Sequence, residues 1–144
     1  MDQQAIVSYI NSTFSGVDVL QPTDGPGAFD TFFIYDPNRS LQGKEQFPFA
    51  TIVTKDYGDF DARSDLNRPG VFRLNVGVSR DTFKALFPER ADHDYAALDQ
   101  LMPHPVYAPQ SWVSVLNPSD TTFETVKPLL QEAYAMAVKR RVSS

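Results

Sequence analysis

Histidine, the side chain most ready to move a proton near neutral pH, is scarce in this chain. There are two histidines, His93 and His104, and no cysteine among 144 residues, so thiol catalysis, disulfides and thiolate zinc sites are excluded together. His104 stands between Pro103 and Pro105, and the proline that follows it holds its backbone extended, which aims the ring in one direction. Such a ring serves either as a general acid or base, in a small hydrolase-type enzyme, or as a structural hydrogen-bonding group inside a rigid turn. His93, flanked by Asp92 and Asp94, reads as a solvated residue at the start of a helical stretch. The two histidines have neither the HxH nor the HExxH spacing of a metal site. Asp59, Asp61 and Asp65 resemble the start of a calcium loop, but Ser64 and Gly70 occupy the positions that need glycine and a bidentate glutamate. No metal and no cofactor is expected.

Charge reverses locally around the same region. Arg63, Arg68, Arg73 and Arg80 share their stretch with a single acid, Asp65, in a chain whose net charge is -5. Guanidinium forks bind carboxylates and phosphates in a bidentate manner. Two readings follow. In one, Arg68, Arg73, Asn75 and Arg80, with Tyr57 and His104 nearby, line a polar cleft for an anionic small molecule or an acidic partner. In the other, the arginines pair with the Asp-rich loop before them and lock it onto the fold.

Those residues need elements to hold them. Ala5, Ile6, Tyr9, Ile10 and Phe14 form an apolar stripe that predicts a first helix, capped by Asp2 and stopped by Gly16. The turn-rich run from Gln21 to Asp30 precedes a short aromatic strand, Thr31 to Tyr35. A loop through Asp36, Pro37 and Gly43 leads to a β-branched strand, Phe49 to Lys55. Residues 56–70 carry four Asp with no periodicity and predict a long loop. Val71 to Val78 alternates, with Phe72, Leu74, Val76 and Val78 facing the core and Arg73 and Asn75 facing away. Ser79 caps a helix whose buried stripe is Phe83, Leu86 and Phe87, ended by Pro88. A second helical stretch spans Tyr95 to Met102. Val106-Tyr107 and Trp112 to Leu116 read as strands, and a final amphipathic helix follows, interrupted so that its main part starts at Pro128. Helices at the two ends and no regular strand-helix alternation imply a single α+β domain, with a mainly antiparallel sheet packed against the N-terminal and C-terminal helices.

Hydrophobic residues at 42% and charged residues at 22% are ordinary globular values. No run is long enough to cross a bilayer, and the opening MDQQAIVSYI lacks the basic region of a secretory signal. The expectation is a cytoplasmic protein without a membrane partner. Net negative charge disfavours nucleic acid, whose binding draws on displaced counterions. The strings PFATIVTKDYGDFDARSDLNRPGVFRLNVGVSRDTF and MPHPVYAPQSWVSVLNPSDTTFETVKPLLQEAY resemble an uncharacterised bacterial family, domain of unknown function 6194, across nearly the whole chain. More distantly, the order of helix, strands, Trp-containing strand and a helix carrying LLxEAY is similar to MmcQ/YjbR-like proteins. That second resemblance implies a compact α+β fold and DNA binding, and neither supplies catalytic residues.

Overall fold

The computed structural model describes residues 1–39 and 47–143; the loop position expected at Gly43 lies outside them. The elements run α1 (Gln3–Thr13), β1 (Val17–Leu20), β2 (Thr31–Tyr35), β3 (Ala50–Val53), β4 (Arg73–Gly77), α2 (Arg80–Leu86), β5 (Met102–Pro103), a 3-10 turn (Ala108–Gln110), β6 (Trp112–Leu116) and α3 (Asp120–Ser143). The six strands form one sheet in the order β1-β2-β3-β4-β6-β5, every neighbouring pair antiparallel. With the long helices at the two ends of the chain, this is the expected α+β architecture.

Local chemistry explains the boundaries. Asp2 accepts from the Ala5 N–H at 2.8 Å and starts α1 as expected. Strand β3 ends at Val53, short of Lys55, because the Thr54 N–H turns to Asp30 Oδ1 at 2.9 Å instead of a neighbouring strand. Strand β4 begins at Arg73 because the Phe72 N–H is taken by Asn117 Oδ1 at 2.9 Å.

Four expectations are corrected. Tyr95 to Leu101 forms turns and bends rather than a helix and Met102 begins β5, since Asp99 adopts a left-handed φ of 59° that no helix continues through. Val106-Tyr107 is a turn entering the 3-10 segment, not a strand. Leu86 is 38% exposed and α2 buries no residue fully, so its stripe of Phe83 and Phe87 only leans on the core. Helix α3 runs unbroken from Asp120 through Pro128, the exposed proline being carried by a buried row on both sides of it. Strand β1 was not expected at all: its four residues are only half-buried and give no strong pattern.

The sheet has two unlike faces. On one, Phe33, Ile52, Leu74, Val76, Val113 and Val115 pack against Ile6 and Ile10 of α1 and Phe123, Val126 and Leu130 of α3. Register places a different set on the other face, in rows Phe32-Thr51-Asn75-Ser114 and Val53-Arg73-Leu116. One end of that second face is closed by a smaller core of Val53, Leu66, Met102 and Leu116 under the Asp-rich loop. Its other end is open.

Candidate functional site

The open end of the second face is a cavity of about 850 Å³. Thr51, Arg73, Asn75 and His104 form a polar floor, and Phe32, Tyr57, Phe60, Tyr107 and Trp112 supply aromatic walls. The structure thus brings Tyr57, Arg73, Asn75 and His104 together, as expected from the alternation of β4 and the proline-held turn.

Arg73 is only 1% exposed and is the largest fully buried side chain. Its Nη1 and Nη2 donate to the two carboxylate oxygens of Asp61 at 3.0 and 2.6 Å, Nη1 also to Ser64 Oγ at 2.8 Å, and Nε to Asn75 Oδ1 at 2.8 Å. The fork-to-fork pair cancels the charge where it is made. Asn75 passes the chain on, donating from Nδ2 to Thr51 Oγ1 at 2.9 Å. Asp61 is presented by a tight turn in which Tyr57 N–H donates to Asp61 O and Asp61 N–H to Tyr57 O, with Gly58 at φ 56°. The same turn throws Phe60 outward, 66% exposed, to meet the Tyr107 ring at 6.2 Å on the rim.

Tyr57 donates its phenol proton to Asp30, a fully buried carboxylate that also accepts from Lys55 Nζ at 3.3 Å. Burial and then the Asp30 carboxylate push the phenol above its ordinary range. His104 is buried and its Nδ1 accepts from the backbone N–H groups of Val106 and Tyr107, both at 3.0 Å. Burial, followed by the Arg73 guanidinium, pushes its pKa down to about 3 against an opposing pull from Asp61. Burial thus favours the neutral ring over the imidazolium.

Two candidate residues are placed elsewhere. Arg68 does not fold back over β4. Its guanidinium donates to the carbonyls of Asp65 at 2.7 Å, Ser64 at 3.1 Å and Ala96 at 2.9 Å, tying the Asp-rich loop to the segment before β5. Arg80 is the exposed first residue of α2 and lines no part of the cavity. Arg63 lies over the Tyr95 ring at 4.3 Å. His93, expected in solvent at a helix start, is instead half-buried against Phe87 and Tyr95. Of Arg68, Arg73 and Arg80, only Arg73 lines the cavity, and it pairs with Asp61 as the alternative reading of arginines locking the Asp-rich loop expects. Among the described residues no three His, Cys, Asp or Glu side chains gather as a metal site, and no helix is long and apolar enough to cross a membrane.

Reading the sequence alone missed the aromatic walls. The adjacent Phe32 and Phe33 of β2 carry the signal, because consecutive aromatics on one strand require both sheet faces to be covered. Trp112 was seen only as a strand residue. It lies over Gly77, where a Cβ would come within 3.0 Å of the indole, so the glycine is what lets the ring cross β4.

No curated protein and no solved structure matches the chain. Its membership is shown by a family model that matches residues 1–144, and the chain belongs to the family of unknown function DUF6194.

Proposed function

We propose that the protein is a small-molecule binding domain whose second sheet face receives a neutral, largely aromatic organic ligand. The observation that carries this is the cavity of about 850 Å³, walled by Phe32, Tyr57, Phe60, Tyr107 and Trp112 over a small hydrogen-bonding floor. Ligand sites are typically about 300–1,000 Å³, mostly apolar, with a few placed polar groups. The binding class is the one expected from the sequence, with the ligand's charge changed: Arg73 spends its charge on Asp61, and Arg68 and Arg80 lie outside the lining. The burial that pushes the His104 pKa down weighs against the alternative of an acid-base enzyme. DNA binding, which the MmcQ/YjbR-like resemblance implies, is disfavoured by the net charge of -5, and Arg63, Arg68 and Arg73 are engaged by Tyr95, loop carbonyls and Asp61. A cytoplasmic setting is part of the proposal.

The probe is 2-ethylnaphthalene, which has no hydrogen-bonding group. Calorimetry should give saturable one-to-one binding with Kd in the range of about 10–100 μM. The indole N–H peak of Trp112, single because the chain has one tryptophan, should shift with the same saturation. Thr51→Phe, which fills the floor, should abolish both responses while leaving the circular dichroism spectrum native. Absence of saturable binding, or binding that persists in folded Thr51→Phe protein, overturns the proposal.

A further inference from the structure

Counting hydrogen-bonding capacity on the cavity floor leaves two donors facing each other. His104 Nδ1 accepts from two backbone N–H groups, so it carries a bare lone pair and the proton of the neutral ring sits on Nε2. That Nε2 lies 3.3 Å from Arg73 Nη2, and a guanidinium offers donors only. Four of the five Arg73 N–H bonds are spent on Asn75, Ser64 and the two oxygens of Asp61. The fifth points toward His104. Moving the proton to Nδ1 does not help, since Nδ1–H would then oppose the Val106 and Tyr107 donors. Whichever nitrogen is protonated, at least two donors of this cluster are left without an acceptor, and both residues line the cavity. Buried donors left in that state cost about 1–3 kcal/mol, which an acceptor arriving from outside recovers.

We infer, resting on the cavity reading above, that the ligand is a neutral aromatic carbonyl compound, whose oxygen is anchored by His104 Nε2–H and Arg73 Nη2–H. The rings on the walls take the aromatic body and the donor pair takes the oxygen. Neutrality follows from Asp61: its carboxylate already holds the guanidinium on both oxygens, so an incoming carboxylate would be buried beside a like charge with no unmatched cation among the described lining residues to meet it. Thr51, whose hydroxyl accepts from Asn75, has its own proton available to the same oxygen.

Three probes of one shape test this: 2-ethylnaphthalene, 2-acetylnaphthalene and 2-naphthoate, compared by calorimetry. The ketone should bind about fivefold or more tighter than the hydrocarbon, and the carboxylate should bind more weakly than the ketone. His104→Asn retains an acceptor where Nδ1 meets the Val106 and Tyr107 N–H groups but has no Nε2–H. In it the ketone's advantage should shrink to about twofold or less, with binding of the hydrocarbon retained. Independently of any ligand, nitrogen-15 spectra of the wild-type imidazole should show the proton on Nε2. Equal binding of ketone and hydrocarbon, tightest binding of the carboxylate, an unchanged preference in His104→Asn, or a proton found on Nδ1 each overturns the anchor while leaving the cavity reading intact. If 2-ethylnaphthalene does not bind, the cavity reading itself fails and the anchor with it.

Discussion

A guanidinium that water does not reach must be neutralised by the protein, and at Arg73 that work falls on Asp61, itself nearly buried. Asp61→Asn keeps the size of the side chain and removes the charge, so the cation is left uncompensated in a poorly solvated site. The expected cost is about 3–5 kcal/mol in urea denaturation; a loss below about 1 kcal/mol would mean that solvent, not Asp61, balances Arg73. His104 makes a different prediction, in pH. Unfolded, the imidazole takes up a proton near its ordinary 6.5, whereas the folded ring resists until about 3, so unfolding binds a proton throughout that window. Stability fully present above pH 6.5 is therefore lost as pH falls, and between pH 7.5 and 5 the loss from this ring is about 2 kcal/mol. Denaturation of wild type and His104→Asn at both pH values isolates it, since the variant should lose that slope. The upper part of the window lies above the range in which carboxylates ordinarily titrate.

At the scale of elements, helix α3 tolerates a proline in its ninth position because its partners outweigh the local defect. Phe123, Val126, Leu129, Leu130, Ala133 and Ala137 are all buried on one side, and Tyr134 stacks on Phe14 with ring centroids 4.7 Å apart. The proline still removes one N–H from the helix ladder and crowds the carbonyl four residues back. Pro128→Ala, at an exposed position, should therefore stabilise the protein by about 1–3 kcal/mol, read as a raised thermal midpoint; an unchanged or lowered midpoint would show that the proline costs the helix nothing here. The expectation of a break at Pro128 gave local propensity more weight than the buried stripe. The Asp-rich loop, expected as an aperiodic connection that arginines could lock in place, is held also by its own side chains: Asp56 accepts from Leu66 N–H at 2.8 Å and Asn67 accepts from Asp56 N–H at 3.1 Å, drawing its two ends together.

For the molecule as a whole, alternation in β4 was enough to separate an apolar face from one bearing Arg73 and Asn75, and the chain order of strong elements was enough for the α+β class. What the sequence could not disclose was pairing between positions far apart: that Asp61 rather than Asp59 or Asp65 meets Arg73 depends on the turn at Gly58. The aromatic walls were likewise hidden, since Phe60, Tyr107 and Trp112 come from separate segments and converge only when the sheet is assembled. The sheet's margins carry a consequence of their own. At one margin β5 is two residues long, and one of them, Pro103, has no N–H to offer a newcomer. At the other, β1 is four residues long with Asp18 in its middle. Short borders interrupted by proline or a carboxylate give a stray chain little template to zip onto. The fold is thereby guarded against fibrillar polymerisation, even though aromatic rings such as Phe60 and Tyr107 stand exposed on its surface.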